Sequence, residues 1–585
     1  MTKRLRRALL ALGLLPAMIA CAGQEEGDGA AQAETGQSAT VPQNWSLSGA
    51  ILAGRHAFDS GDDAMAAELL SLALEAAPGD QILAARALAA MVGSGDFEAA
   101  VPLAAKLKEM GARTPLIPLV ELTDAVRKDD FAKARAALGD IGDDSISRIA
   151  KPLFGAWITI GEGKGEAAAL AELKPLEEIN GLGGLVVQHI ALIKDHFGHG
   201  AEGLDGLKQA AEAGFGSARF IELFVAFLHR NNETEAARKY LQNLSAGNTG
   251  VGAAISDPLL EQLAKPPVKG PIVADPAIGL AEAYFDLGSL LQSENISDQA
   301  KVLGRLALVL APDLEISRLL LGNLMQDRER CEDAIEMYRS IPENSIYRWS
   351  ADISIADCQQ KLDDIDGAIA TLQDLVKARP QRVEAIVELG DLYRREKRFT
   401  DAIAAYDDVI AGLKDPVARD WTLFYARGVA HERAKQWDKA EPDFKKALEL
   451  SPEQPYVLNY LAYTWVERRE HLDEALDMLH RAVDQRPEEG FIVDSLGWAY
   501  FQLGDFEQAV TYLERAVELQ PTDPVLNDHL GDAYWRVGRK NEARFQWNRA
   551  LSFKPEEDQV GIIEEKIKSG LGAANTTTGE APSGG

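Results

Sequence analysis

Three cysteines in 585 residues are too few for a disulfide-built fold, and no C-x-x-C pair is present to begin a zinc site. Basic residues are also short: 61 Lys and Arg stand against 91 Asp and Glu, a net charge of −30. A chain so acidic is a poor match for nucleic acid, where affinity comes from neutralising phosphates. Aromatics make up 7% of the residues. No apolar run is long enough for a permanent membrane span; the longest, Ala8–Ala20, falls short of the roughly 20 residues a bilayer needs. Catalytic constellations are missing as well. There is no G-x-S-x-G elbow and no H-E-x-x-H. Gly161-Glu162-Gly163-Lys164-Gly165 has the glycines of a phosphate loop, but no Ser or Thr follows the lysine and no strand precedes it, so it reads as a turn. His196 and His199 are interleaved with Gly198 and Gly200 and lack a carboxylate at ligand spacing, so no metal is expected. No cofactor, small-molecule substrate or enzymatic activity is expected either.

What is present begins with a targeting segment, residues 1–20. Lys3, Arg4, Arg6 and Arg7 precede the apolar run, which ends in Met18-Ile19-Ala20-Cys21. Two outcomes are open: lipidation of Cys21, or ordinary cleavage after Ala22. Residues 21–44 are Gly, Ala, Gln, Glu and Thr with almost no large apolar residue, and are expected to form a flexible tether. Of the remaining cysteines, Cys331 and Cys358 are expected on helices of successive units. They are read either as a disulfide or as two buried thiols.

The rest of the chain is organised by one period. Leu496-Gly497, Tyr500, Ala509, Leu513, Ala516 and Pro521 recur as Leu530-Gly531, Tyr534, Ala543, Trp547, Ala550 and Pro555, each 34 residues on. Gly288, Gly322, Ala356 and Gly390 keep the same interval, as do Ala300, Ala334, Ala368 and Ala402. Small residues at fixed places let two antiparallel helices cross closely, and a proline ends the second helix. Towards the front, Ala66, Ala100, Ala134 and Ala168 hold the interval with most large signature residues missing. This pattern is the tetratricopeptide-repeat signature. It implies an all-α solenoid of about fourteen helix-turn-helix units, degenerate in the front half. Residues 45–262 form the degenerate repeats. Four prolines interrupt the chain at 263–277, as a domain joint or as a long loop packed along the solenoid. Residues 278–568 form the better-marked solenoid, whose final helix is expected to turn Glu564, Glu565, Lys566 and Lys568 to water while Ile562, Ile563 and Ile567 cover the last repeat. The tail, 569–585, is disordered by composition.

In this repeat family the first helix of each unit lines a concave groove, through the second, fifth, ninth and twelfth places of the unit. Setting Gly428, Ala462, Gly497 and Gly531 at place eight projects Tyr425, Asn459, Asp494 and Asp528 at place five. Tyr463, Trp498 and Asp532 fall at place nine, Tyr456 and Phe491 at place two, and Phe501 and Trp535 at place twelve. Asn and Asp side chains can bond a peptide backbone, and aromatic faces accept apolar or cationic side chains, although some of these rings will simply pack between helices. An acidic, aromatic groove points to a protein partner offering a basic or internal peptide segment.

The whole layout resembles tetratricopeptide lipoproteins of the Gram-negative outer membrane. The stretch Asn459-Tyr460-Leu461-Ala462-Tyr463, Asp494-Ser495-Leu496-Gly497-Trp498 and His529-Leu530-Gly531-Asp532 is most similar to lipoprotein adaptors of carboxyl-terminal processing proteases. The resemblance implies a non-enzymatic scaffold facing the periplasm, lipid-anchored or soluble there, that presents envelope substrates to such a protease. Its alternative is an assembly factor for envelope export.

Overall fold

The computed structural model describes residues 45–247, 250–380 and 382–572. The leader, Cys21, the 21–44 tether and the tail beyond 572 lie outside the described residues. Thirty α-helices and one short 3-10 turn make up the regular structure, with no strand among the described residues. Fourteen antiparallel pairs account for all but two of the helices, Gly250–Gln262 and Glu557–Ser569.

Local chemistry fixes where each pair turns. In the first three units Asp62, Asp96 and Asp130, 34 residues apart, cap the second helix by accepting a backbone N–H three residues on, from Met65, Ala99 and Lys133. That bond satisfies one of the donors a helix start leaves open. The residue before each cap sits in the left-handed region, Gly61 at φ +82, Gly95 at φ +95 and Asp129 at φ +56. The small residues at place eight are set by what faces them. A Cβ on Gly531 would stand 2.5 Å from Trp547, on Gly322 2.4 Å from Tyr338, and on Gly390 2.8 Å from Tyr406. Each glycine therefore makes room for one ring of its partner helix. Ala66, Ala100 and Ala134 are fully buried as the period requires. In the fourth unit the buried small residue is Ala169, and Ala168 is exposed. The frame slips there by one residue.

The helices cluster into two compact units that divide between Thr371 and Leu372. The Pro-rich segment 263–277 lies inside the first unit, where it behaves as the packed loop rather than the joint. Val273 is fully buried, Ile272 N–H donates to Asp195 at 2.7 Å, and the Val273 carbonyl lies 3.0 Å from His196 Nδ1. His199 bonds Glu166 instead, so the two histidines serve different neighbours.

After that loop the chain turns back on the opening repeats. Helix Pro276–Ser293 packs on Ser147–Gly161 and Gly183–His196, and Ser297–Leu310 packs on Gln81–Ser94 and Leu116–Arg127. The contacts are buried and polar as well as apolar. Tyr284 and Thr123 share a hydrogen bond of 3.0 Å, and Lys301 reaches Asp63 at 2.5 Å. The Trp157 indole donates to His189 Nδ1 at 3.1 Å, so a neutral His189 carries its proton on Nε2 and donates to Asp286 at 3.0 Å. Arg219 pairs with Glu282 and Glu222, and Tyr347 donates to Glu222. Gly279 is required under the Trp157 ring, which would stand 2.0 Å from any Cβ there.

Cys331 and Cys358 are buried free thiols on adjacent packed helices. Burial and the neighbouring Cys331 sulfur, to which it is hydrogen-bonded, push the Cys358 thiol well above its usual range.

In the second unit, the last helix follows the preceding repeat, against which it packs. Its polar face is not what spacing alone predicts. Ile563 is buried and Ile567 packs on the core, but Ile562 is 50% exposed, and Lys566 turns inward.

Candidate functional site

The projected groove residues lie on four helices of the second unit, Trp421–Arg433, Pro455–Arg468, Gly490–Leu503 and Pro524–Arg536. The period that brings one residue of each helix to the same place also brings neighbours within bonding distance of one another.

The acids are already engaged by the chain itself. Asp494, almost fully buried, meets His529 Nδ1 at 2.9 Å. Burial works against charging that ring, but Asp494 beside it, with Asp528 and Asp532 nearby, raises its pKa above the ordinary 6.5. Asp528 and Asp532 share the Lys566 ammonium at 2.7 and 2.9 Å. Asp532 also accepts the Trp547 indole N–H at 2.9 Å. Its burial, with repulsion from Asp528, outweighs Lys566 and pushes its carboxyl up to about 6. The expected acidic surface is thus largely neutralised within the fold. Lys566 stands 34 residues after Asp532, so the period, carried one helix further, would have located it.

The rings divide into packed and open ones. Tyr425 lies edge-on to Tyr460 at 5.9 Å and tilted against Phe444 at 6.1 Å, a packing role. Trp535 donates to the Leu571 carbonyl at 3.1 Å and carries Lys540 at 3.9 Å over its ring. The residues at Gly570–Gly572 therefore run across it. Trp498 is stacked between Phe501 at 4.7 Å and His529 at 4.0 Å, and its N–H is taken by Glu467. His529 and Glu467 belong to the groove and escaped the projection, because they fall one place beside the four projected ones.

What remains is a ledge of four residues, Tyr456, Asn459, Tyr463 and Phe491, of which Phe491 alone is exposed and Asn459 is buried. Tyr456 and Phe491 stack in parallel, with centroids 6.2 Å apart, and Phe491 is 40% exposed. Next to them Asn459 is 8% exposed, and its buried Oδ1 has no hydrogen-bond partner. One turn on, burial pushes the Tyr463 hydroxyl well above its usual range, and Glu467 and Asp494 push it further. An unpaired amide costs about 1–3 kcal/mol where it is buried. Bound ligand that offers an N–H to Asn459 would recover that cost, while its apolar side chains lie on Tyr456 and Phe491. The arrangement suits a neutral, main-chain-presenting segment better than a basic one.

Among the described residues no cluster of three or more His, Cys, Asp or Glu could hold a metal ion, and no helix is long and apolar enough to cross a membrane.

Family models for the tetratricopeptide repeat match residues 355–416 and 421–454, and a model described as TPR repeat matches 497–538. A TPR repeat-containing protein of Pseudomonas aeruginosa, PA4667, is 25% identical over 191 residues, which is 32% of this chain and 31% of that protein. The general transcriptional corepressor ssn6 of Schizosaccharomyces pombe is 27% identical over 139 residues, 24% of this chain and 12% of that one. The matches thus span less than a third of either relative. Among solved structures, a tetratricopeptide repeat protein from Parabacteroides merdae is 15% identical with a TM-score of 0.37, covering 43% of this chain and 97% of that one. The Cut9–Hcn1 hetero-tetramer of APC/C is 14% identical with a TM-score of 0.37, covering 89% and 96%. The repeat assignment rests on the family models and on the helix pairs described above.

Proposed function

We propose that this tetratricopeptide-repeat protein, a scaffold for protein–protein contacts, serves in the cell envelope as an adaptor that presents envelope substrates to a carboxyl-terminal processing protease. The observation that carries a peptide-binding role is the ledge of Tyr456, Phe491 and Tyr463 around Asn459, whose Oδ1 has no partner. A buried acceptor without a partner is one that a bound donor can satisfy. A tetratricopeptide solenoid is typically non-catalytic and works by holding partners. Repeats of this kind stack into extended concave faces of that sort.

The proposed location is supported by the leader. A basic start, a short apolar run and Cys21 suit a lipid anchor at the periplasmic face of the outer membrane. The 21–44 composition suits a spacer between anchor and repeats. The groove would take an internal segment of a partner protein, offering main-chain N–H to Asn459 and an apolar side chain to the Tyr456–Phe491 stack.

The test is a tagged pull-down of the mature chain from crosslinked envelope extract, read by mass spectrometry. Recovery of a processing protease together with a cell-wall hydrolase, lost in the Asn459→Leu chain, is the expected result. Recovery of export or surface-assembly components without a protease would replace the adaptor reading by an assembly role.

A further inference from the structure

The chain carries a net charge of −30, yet between Arg536 and Lys554 six basic residues face one acid, Glu542. Two of them lie over one indole, and the charge of a third, Arg536, acts on Lys540. Lys540 lies 3.9 Å and Arg544 5.1 Å from the Trp535 ring centroid, and Arg536 donates to the Gly572 carbonyl at 2.9 Å. Arg544 is further fixed by the Ile567 carbonyl at 3.2 Å. Other arginines in this unit do have carboxylate partners: Arg427 takes Asp407 and Asp443, and Arg481 takes Glu453 and Asp477. Within the basic stretch only Arg539 is so paired, with Glu514 and Glu542, among the described residues. The cations that remain repel each other. Burial and the charges of Arg536 and Arg544 hold Lys540 below its ordinary range.

On helix Lys540–Ser552 the residues Lys540, Arg544 and Asn548 follow at four-residue intervals, one side of a helix. Phe545 beside them is 61% exposed, and the Arg549 guanidinium lies 6.0 Å from its ring. Excess positive charge, fixed by backbone carbonyls around an aromatic ring, is a surface that lacks its counter-charge.

We propose that this face, Arg536, Lys540 and Arg544 with Phe545, docks an acidic segment of a partner protein through spaced carboxylates. Its chemistry is opposite in sign to the chain as a whole, and its residues are not those of the ledge. A protein segment fits better than a lipid surface. Binding in a membrane interface needs a broad apolar helix face, whereas this helix exposes one large apolar residue, Phe545. Guanidinium groups held at fixed positions favour bidentate carboxylate contacts.

The test is fluorescence anisotropy of a fluorescein-labelled decaglutamate peptide with the full chain. Saturable binding is expected, weakening at least roughly tenfold between about 50 mM and about 300 mM NaCl, as screening shortens the reach of surface charge. Lys540→Glu, at an exposed position, and separately Arg544→Gln should each reduce affinity, the pair by about tenfold or more. Their melting curves would show that the fold is retained. Arg481→Gln and Asn459→Leu should leave peptide binding unchanged. Absence of saturable binding overturns the proposal, as does equal binding by Lys540→Glu. So does co-flotation with phosphatidylglycerol vesicles by a chain that ignores the peptide.

Discussion

The two units are built from the same helical pair and use their inner surfaces differently. In the first, helices Pro276–Ser293 and Ser297–Leu310 return onto the opening repeats and bury Tyr284, Glu282 and Lys301 against them. In the second, side chains of successive repeats pair across the groove, as His529 does with Asp494, while the Asn459 Oδ1 is among the buried acceptors left without a partner. A repeat surface is therefore not a binding site by virtue of its fold. It can become one where the chain leaves groups unsatisfied, and the proposed site is the one at Asn459.

The sharpest way to break the contrast lies in the first unit. Glu282→Ala would leave the Arg219 guanidinium buried beside a single partner, Glu222. Losing one side of a buried pair costs about 3–5 kcal/mol, and urea denaturation followed by tryptophan fluorescence should show a loss of that order. A change no larger than a surface substitution would mean that the returning helices are not held by their buried charges.

A smaller loss is expected in the second unit from Gly531→Leu, which drives a side chain into Trp547. Overpacking of this kind costs about 1–3 kcal/mol, and a lowered midpoint in circular dichroism melts would register it. Gly538→Leu, where a Cβ meets nothing within 4 Å but φ is +89, tests backbone strain without overpacking.

The pairing of groove acids predicts a pH dependence. His529 has its pKa raised in the fold, so the stability it gains from Asp494 is fully present below about pH 6.5 and is lost as pH rises through the higher folded value. Asp532, raised from 3.8 to about 6, acts in the same direction, its contribution fading as pH climbs through about 6. Asp528 and Lys566 face the same cluster and are included in the balance. Thermal midpoints of the native chain should therefore fall relative to those of His529→Gln between pH 6 and pH 8. A constant difference would show that the Asp494 contact carries no charge.

The smallest stability effect belongs to the ledge. Asn459→Leu removes an orphaned buried acceptor, so stability should be unchanged or rise by up to about 1 kcal/mol. Partner capture should nevertheless drop by about tenfold, a split that a purely structural asparagine would not produce. Phe491→Ser, at a largely exposed ring, should give the same loss of capture.

Much of this was legible in the chain. The interval of 34 located the helical pairs, the buried Ala66, Ala100 and Ala134, and the glycines that face Trp547, Tyr338 and Tyr406, because those contacts lie within one unit. The groove list was legible only in part. It projected Tyr456, Asn459, Tyr463 and Phe491 into the groove, and the structure sets Tyr456 and Phe491 against each other there. It also included Tyr425, which packs between helices, and three acids that His529 and Lys566 already bond, with the Asp528 Oδ1 still left over. Place in a repeat states which residues share a row, but not whether the next row carries the opposite charge.

By itself the sequence determined the helical pair, its turn, and the succession of repeats, since each depends on local caps and on contacts between adjacent helices. Only the tertiary structure decided that residues 276–310 fold back to fill the first unit, and that Lys566 closes the last acids of the second. Those contacts join residues such as Asp63 and Lys301, 238 apart. No local period encodes them, because they are selected by burial and charge pairing once the solenoid has formed.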